Sequence, residues 1–559
     1  MTNIFLCFLS SFLYSVTNLT SQTGFWRSSL KSKVFSDCSK GYQGLNAAAL
    51  AADRCCPLDP ITNISICITN GTEEKEWNSD NQCLQNYMGT LCLECVEGYV
   101  RVGDNCTICP EGSSLDLAFM AGALMVLPVF LGVLINLLCE GKTEKASSTG
   151  NKVFGQIKIM ISFIQILSSM KTTYNGIPWP LAFISLIIPL AAINLDVVEL
   201  FGANICSMAV PFSGKFIVHM SLPPMLSLGI IAAYFASKIL KPPKTKEFLS
   251  HRHAQTLKLL LGLILFMYPG LATRCFQMFK CSEFDGVNYS VLEADPSMIC
   301  YTGSHSIFMT LAFVFIVIYV IGIPLTMFIV LWRNKKHLYV EEGKEATKIQ
   351  KEVAFELGGL YAQYEPQYWY FEIIIILHKC IMTGAMVIVE SGTPQQPFIA
   401  MLIQAMFLLL VLKVAPYNDD LDDWSSFVCS LALTFTTFAG FLLMMKADVT
   451  QQPVLSVSAL TTFLIASNAT CFAYEMVVIG YVAYQDMLAK KADNILKLEI
   501  DTNNNNNNTK VLPISSTTKV ALSKSDADNA KIQHKAENQE FEDWGEDGVD
   551  AFFTRADNK

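Results

Sequence analysis

Charge is scarce in this sequence. Only 16% of its 559 residues are Asp, Glu, Lys or Arg, whereas soluble domains carry about 25%. Hydrophobic residues make up 52% of the chain, and several uncharged runs reach about twenty residues, the length needed to cross a hydrocarbon core roughly 30 Å thick. The composition excludes an ordinary soluble protein. It predicts a mainly α-helical, polytopic membrane bundle.

The sequence also lacks the short motifs that mark common enzyme classes. It has no glycine-rich phosphate loop, no His-Glu-x-x-His motif and no Gly-x-Ser-x-Gly motif. No basic arm with interleaved aromatic residues is present, which argues against nucleic acid as a partner. We therefore predict a protein that is not an enzyme and that uses neither a cofactor nor a metal ion.

Acidic residues are concentrated near the C-terminus. The net charge is −9, and Glu537–Asp550 alone contributes seven acids and no base. We predict an amphipathic helix over Gln485–Ile500 and, from the asparagine run Asn503–Asn508 onward, a disordered segment too polar to bury a core. Residues 486–559 are thus predicted to be a cytoplasmic low-complexity tail. Its aromatic residues leave two interpretations open, a docking motif for a cytoplasmic partner or a solvated tail.

A short apolar segment begins the chain. Residues 1–20 resemble a secretory signal peptide without its basic start, and an uncleaved anchor is the alternative. Either one would send residues 21–114 out of the cytoplasm. Glycosylation sequons at Asn63 and Asn70 agree with that compartment. We therefore predict a small ectodomain that carries sugar.

Half of the 18 cysteines lie in this ectodomain, and in an oxidising compartment such density indicates disulfides. Cys92 with Cys95, and Cys106 with Cys109, form two Cys-x-x-Cys pairs that would also suit a zinc ribbon. The nearby sequons favour disulfides over zinc. The stretch from Cys95 through Gly98-Tyr99 resembles EGF-like or ephrin-receptor-like cysteine-rich repeats, which bind ligands in some proteins and are stalks in others.

Basic residues in the gaps between apolar runs orient the membrane domain, residues 115–485. By the positive-inside rule the gaps around Lys152, Lys241 and Arg333 are cytoplasmic. The gap Arg274–His305 has few basic residues and should lie outside. It holds the disulfide candidates Cys281 and Cys300 and the sequon at Asn288.

About nine crossings satisfy this alternation, with the N-terminus outside and the C-terminus inside. They are residues 117–138, 154–174, 212–240, 257–276, 306–332, 369–390, 398–416, 424–446 and 454–485. One further apolar segment, Leu181–Asp196, cannot cross without breaking the alternation, so we interpret it as a re-entrant or interfacial helix on the outer side. The cytoplasmic segment after the fifth crossing is predicted to be helical from about Val340 to Leu357.

Ionisable residues inside crossings are the candidate functional groups. A centred charge costs at least about 2.5–3.5 kcal/mol on insertion scales, so it should face protein or water. Lys379 lies two helical turns deeper than Glu372, which should be interfacial, and Glu475 is a candidate partner for Lys379. A water-lined pathway or gating pair and a structural ion pair both fit. Asp196 and Glu199 could attract cations to an outer mouth or could cap a solvated helix end.

Two prolines within crossings are hinge candidates. Proline removes a helical hydrogen bond and kinks the helix. Tyr268-Pro269-Gly270 and Gly322-Ile-Pro324 could therefore bend during function, or could be static kinks.

Trp369-Tyr-Phe-Glu372, followed by Lys379, Thr383-Gly384 and Pro416-Tyr417, resembles the C-terminal membrane domain of the transient-receptor-potential-like (TRP-like) proteins of fungi, algae and other protists. The resemblance extends over roughly Lys152–Tyr484. It implies a cation channel or channel-like protein that is embedded in membrane lipid, handles cations and forms a homo-oligomer.

Three functions stay open. The first is a cation channel, although the gap Lys446–Pro453 is too short for a pore helix with a carbonyl filter, so a pore would run through the bundle or use Leu181–Asp196. The second is a transporter or lipid-handling protein, and the third is a cell-surface receptor or adhesion protein. All three predict a multi-pass protein of the plasma membrane or another secretory-pathway membrane.

The crossing scheme makes a direct prediction about sugar attachment. We expect Asn288 to be glycosylated, so Asn288→Gln should remove an endoglycosidase-sensitive shift in electrophoretic mobility. A sequon introduced beside Arg333 should gain no sugar, because that gap is predicted to be cytoplasmic. Sugar on both sites would contradict the scheme.

Overall fold

The structure, a computed structural model, describes residues 20–29, 32–41, 47–59, 61–69, 78–102, 105–108, 148–174, 176–190, 212–240, 246–284, 287–340, 344–389, 393–447 and 456–507. The predicted signal segment apart from residue 20, the first predicted crossing and the acidic tail lie outside the described residues. So do four predicted site residues, namely Asn70, Cys109, Asp196 and Glu199.

Short strands and disulfides form the ectodomain. Three two-stranded antiparallel sheets pair β1 (Phe25–Trp26) with β2 (Ser36–Asp37), β3 (Tyr87–Met88) with β4 (Glu94–Cys95), and β5 (Tyr99–Val102) with β6 (Asn105–Ile108). Two helices, α1 (Ala47–Arg54) and α2 (Ile66–Thr69), lie between β2 and β3 in the chain. Such short elements bury little apolar area. Covalent links must therefore stabilise the fold instead, by reducing the conformational entropy of the unfolded chain.

Four disulfides supply those links, and the predicted disulfide-rich character is confirmed. They join Cys38–Cys55, Cys56–Cys67, Cys83–Cys92 and Cys95–Cys106. Cys92 and Cys95 therefore bond to different partners, which removes the thiolates that the zinc alternative required. Trp26 and Leu91 are buried in the core around these bonds.

A hairpin sheet from the membrane domain contacts the ectodomain. Its strands are β7 (Cys281–Glu283), β8 (Ser290–Leu292) and β9 (Asp295–Ile299), closed by the disulfide Cys281–Cys300. Phe284 and Val287 pack against the ectodomain core, and the Tyr289 hydroxyl lies 3.2 Å from Thr90 Oγ1. The ectodomain and this loop therefore lie at the same end of the helices, as the alternation of gaps predicts.

After the ectodomain, ten α-helices and one π-helix precede the last α-helix of the described residues. They are α3 (Ser148–Thr173), α4 (Leu181–Ile187), α5 (Phe212–Leu240), α6 (Lys246–Gln277), α7 (Gly303–Phe315), a π-helix (Ile316–Ile321), α8 (Gly322–Asn334), α9 (Lys348–Tyr361), α10 (Phe371–Thr383), α11 (Gln395–Val414) and α12 (Asp420–Ala447). Helix α13 (Val457–Asn507) follows. The chain divides into two compact units, Met1–Ala489 and Lys490–Lys559, and the second is described only for the end of α13.

Seven of the described helical segments are long and apolar enough to cross a membrane, and they match seven of the nine predicted crossings. Large apolar side chains lie exposed on them, including Ile307, Leu409 and Val477. Exposed apolar surface of this extent needs a lipid or protein neighbour. Inside, a core around Phe163, Leu167 and the other buried side chains of α3 joins α10, α11, α12 and α13.

The sixth predicted crossing, residues 369–390, is shorter than expected. Helix α10 ends at Thr383, and a 3-10 turn, Ala385–Val387, follows. The Thr383 carbonyl accepts hydrogen bonds from the hydroxyls of Thr173 (2.7 Å) and Thr273 (2.9 Å). These neighbouring side chains satisfy a helix-terminal carbonyl, and the sequence of this segment alone does not show them.

Three other boundaries also differ from the sequence prediction. Helix α9, in the segment predicted to be cytoplasmic, runs from Lys348 to Tyr361, because Thr347 and Gln350 form a capping box that sets its start. The segment predicted as Leu181–Asp196 changes from α-helix to 3-10 helix after Ile187, and it is described only to residue 190. Helix α13 continues through the predicted amphipathic stretch to Asn507, so most of the asparagine run is helical.

Tyrosine hydroxyls satisfy carbonyls that proline leaves without a donor. In a regular α-helix the amide of residue 324 would bond to the Val320 carbonyl, but proline has no N–H. The Tyr268 hydroxyl donates to the Val320 carbonyl at 2.9 Å instead. In the same way Pro224 leaves the Met220 carbonyl without an amide donor. This carbonyl accepts a hydrogen bond from the Tyr319 hydroxyl at 3.1 Å. The π-helix Ile316–Ile321 precedes Pro324, and such turns occur mostly as single-turn bulges inside α-helices.

We expect these hydroxyls to stabilise the bundle. Tyr268→Phe and Tyr319→Phe should each lower the free energy of unfolding in detergent by about 1 kcal/mol, because a buried carbonyl loses its donor. Tyr481→Phe is the control, since Tyr481 is exposed on α13 and should change nothing. Equal stability of all three variants would contradict this account.

Candidate functional site: a polar cavity within the helical bundle

A cavity of about 50 Å³ lies among α3, α10, α11 and α12. One water needs roughly 10–15 Å³ by this measure, so the space fits a few waters or a small solute. The polar side chains that line it are Lys158, Ser162, Gln363, Tyr364, His378, Lys379, Tyr417, Ser426, Cys429 and Ser430. Ten of the sixteen residues that line the cavity are therefore polar.

The helices that surround the cavity begin or end at the predicted cytoplasmic side. Lys152 at the start of α3 forms an ion pair with Asp419 just before α12. Tyr364 and Tyr417 form an antiparallel bridge beside them. Lys379 lies eight residues after the start of α10, which is about 12 Å along a helix. The cavity thus extends from the helix ends on the predicted cytoplasmic side into the bundle.

Lys379 is buried, with 8% of its surface exposed. Its ammonium donates to Gln165 Oε1 at 3.3 Å, and among the described residues no carboxylate oxygen lies within 4 Å of it. An ammonium inside a low-dielectric bundle needs water or dipoles around it, and the cavity provides room for both. Gln165 also donates to the Phe266 carbonyl at 2.8 Å, close to Pro269 in α6.

Glu372 is buried rather than interfacial as predicted. It forms an ion pair with Lys158 of α3 and accepts a hydrogen bond from the Tyr364 hydroxyl at 2.7 Å. Lys158 also donates to the Gly359 carbonyl of α9 at 3.1 Å. The pair therefore joins helix α9 to the wall of the cavity.

Tyr364 lies outside the predicted crossings and belongs to the same hydrogen-bonded group as Glu372 and Lys158. Its side chain is fully buried. Burial, and then the negative charge of Glu372, raise the pKa of Tyr364 well above its usual value. The hydroxyl therefore stays protonated and remains a donor to the carboxylate.

Glu475 does not pair with Lys379, so that predicted partnership is wrong. Glu475 Oε1 lies 3.4 Å from the thiol sulfur of Cys429, and Cys429 lies 3.7 Å from the sulfur of Cys471. The reason is the position of Glu475 around the helix axis. Glu475 and Cys471 lie on the same face of α13, and that face meets α12. Lys379 instead faces α3 through Gln165.

His378 completes the wall on the side of α11. Its Nε2 lies 3.0 Å from Gln404 Oε1, and its ring stacks on Phe407 with centroids 3.8 Å apart. Gln404 in turn donates to the Ser430 carbonyl at 3.3 Å. These contacts fix the imidazole between two helices.

The remaining predicted site residues lie apart from the cavity. Pro269 and Pro324 are in α6 and α8, and whether they act as hinges stays a prediction. Asn63 and Asn288 are exposed. In the described ranges the closest grouping of potential metal ligands is Cys281, Cys300 and His305, but the two cysteines are disulfide-bonded and offer no thiolate.

Sequence reasoning missed Lys158, Gln165 and the thiol pair. Lys158 lies inside a predicted crossing, so its charge was an available signal. The proximity of Cys429 to Cys471 had no sequence signal, because it depends on how two helices face each other.

Similarity to known proteins identifies the family of this chain. The model of the family described as "Transient receptor potential (TRP) ion channel" matches residues 120–506, more than half of the chain. The chain belongs to the TRP ion channel family. This TRP-family protein is therefore a multi-pass membrane protein, and the resemblance seen in the sequence is confirmed over a slightly longer range than expected.

One curated relative of this TRP-family chain is "Cysteine repeat modular protein A" of Toxoplasma gondii. It is 23% identical over 167 residues, which cover 28% of this chain and 5% of the relative. The chain thus spans only a small part of that protein's length. No solved structure matches the chain significantly.

The buried pair in this TRP-family protein makes a prediction about stability. Lys158→Gln or Glu372→Gln alone should lower the unfolding free energy by about 2–4 kcal/mol, because each leaves an unpaired charge. The double variant should recover much of that loss. Lys152→Gln is the control, since the Lys152–Asp419 pair is more exposed and should contribute less than about 1 kcal/mol. Thermal unfolding in detergent measures all four.

Proposed function

We propose that this chain is a subunit of a cation channel whose opening is controlled at the Lys379 cavity. Membership in the TRP ion channel family supports the channel class. The observation that carries the proposal is the buried Lys379 ammonium, which lines the cavity with no carboxylate within ion-pair distance among the described residues.

A positive charge in this position opposes cation entry. Two like charges about 5 Å apart repel by about 3 kcal/mol at an effective dielectric constant of about 20. The conformation with Lys379 in the cavity is therefore a closed one in this proposal. Movement of α10 that withdraws or neutralises the ammonium would lower the barrier.

The connection between Lys379 and other helices supports a control role. Gln165 joins its ammonium to the Phe266 carbonyl near Pro269. Glu372, two turns earlier on α10, is tied to Lys158 and through it to α9. A shift of the cytoplasmic helix α9 would thus reach α10 directly.

The alternative functions receive less support from this geometry. Ligand pockets for drug-sized molecules occupy about 300–1,000 Å³, whereas this cavity measures about 50 Å³. Its size favours water and small ions over lipid. A receptor or adhesion role for the ectodomain stays a prediction.

Recording from purified protein in planar bilayers tests the proposal. We expect cation conductance from the wild type and a several-fold higher open probability for Lys379→Gln, because the repelling charge is gone. Lys379→Arg should resemble the wild type. Lys413→Gln is the matched control, since Lys413 is an exposed lysine at the end of α11.

Two results would overturn this function. One is a lack of conductance in the wild type and in Lys379→Gln under voltage, membrane stretch and changed lipid composition. The other is an equal open probability for Lys379→Gln and Lys379→Arg, which would show that channel opening does not depend on the charge in the cavity.

A further inference from the structure

Two buried free thiols face each other between α12 and α13. Cys429 and Cys471 are 4% and 1% exposed, and their sulfur atoms lie 3.7 Å apart. That separation is van der Waals contact, so a small movement would bring the sulfurs to the distance of about 2 Å at which a disulfide forms. Hydrogen bonding between Asn468 and Thr436, at 3.0 Å, holds the same two helices together nearby.

The two thiols differ in access. Cys429 lines the polar cavity together with Lys379 and Lys158, whereas Cys471 does not contribute to its wall. A small polar molecule in the cavity would therefore meet Cys429 first. The volume of about 50 Å³ accepts a molecule as small as hydrogen peroxide but excludes glutathione.

A proton acceptor also lies beside the accessible thiol. Glu475 Oε1 is 3.4 Å from Cys429 Sγ, and Glu475 Oε2 has no hydrogen-bond partner within the described part of the chain. The thiolate, rather than the thiol, is the nucleophile in sulfur oxidation. Glu475 Oε1 is within reach of the Cys429 proton and can accept it.

From this geometry we propose that Cys429 and Cys471 form an intramembrane dithiol that small hydroperoxides oxidise from the cavity, with Cys429 as the attacking and Cys471 as the resolving residue. Oxidation would link α12 to α13 covalently. The proposal concerns a modification site and does not depend on whether the protein conducts ions.

The chemistry balances with one peroxide. The Cys429 thiolate attacks one peroxide oxygen, the O–O bond breaks, and the leaving hydroxide takes the proton held by Glu475 and departs as water. Cys429 is now a sulfenic acid, oxidised by two electrons. Cys471 sulfur then attacks Cys429 sulfur, the S–O bond breaks, and the hydroxide leaves with the Cys471 proton as a second water. One peroxide is reduced and one disulfide forms.

Peptide mapping of the full-length protein in lipid nanodiscs tests this order. After hydrogen peroxide treatment we expect a linked peptide pair containing Cys429 and Cys471, reversible by dithiothreitol. In Cys471→Ser the sulfenic acid should persist, so dimedone should label Cys429. In Cys429→Ser dimedone should leave Cys471 unlabelled, because that thiol does not line the cavity.

Matched variants separate this site from general thiol oxidation. Cys380 is buried on α10 and is not part of the cavity wall, so Cys380→Ser should behave as the wild type. Glu475→Gln keeps the size of the side chain but cannot accept the proton, and the oxidation rate should fall about tenfold or more. Thermal unfolding of each variant checks that it is folded.

Several results would overturn the proposal. They are the absence of a Cys429–Cys471 linkage, dimedone labelling of Cys471 in preference to Cys429, or equal labelling of Cys380 in the wild type. An unchanged oxidation rate in folded Glu475→Gln would overturn the assigned proton acceptor and with it the mechanism as stated.

Discussion

Buried charge is the constraint on which the rest of this bundle depends. An ionised side chain at membrane depth must meet a counter-charge, a dipole or water inside the protein. Glu372 and Lys158 satisfy one another, and Lys379 relies on Gln165 and on the space of the cavity. Helices α3, α10, α11 and α12 pack around these groups. The polar cavity therefore accommodates Lys379, which lies on a mostly apolar helix.

The same requirement explains how the broken helices hold together. At several points where proline or a helix end leaves a carbonyl without its donor, a hydroxyl from a neighbouring helix supplies one. Tyr268 bonds to the Val320 carbonyl, and Thr173 and Thr273 bond to the Thr383 carbonyl. In a bilayer no water replaces such a donor. These contacts tie each irregular segment to a second helix, so local irregularity and tertiary packing are coupled.

Two chemistries meet at one cavity. Its α10 side carries the ammonium that supports a role in channel control, and its α12 side carries the Cys429 thiol beside Glu475 and Cys471. A disulfide between α12 and α13 would change the wall that Lys379 faces. Control by charge and modification by oxidation would then act on the same cavity.

The sequence by itself determined the class of protein, the disulfide-rich N-terminal region and most of the long helices; the alternation of gaps stays a prediction. Those features depend on composition and local periodicity, which are properties of residues close together in the chain. Only the tertiary structure decided that Glu475 meets Cys429 and not Lys379, that Glu372 is buried against Lys158, and that α10 ends at Thr383. Each of these depends on the rotation of one helix against another, and residues far apart in the chain set that rotation through packing.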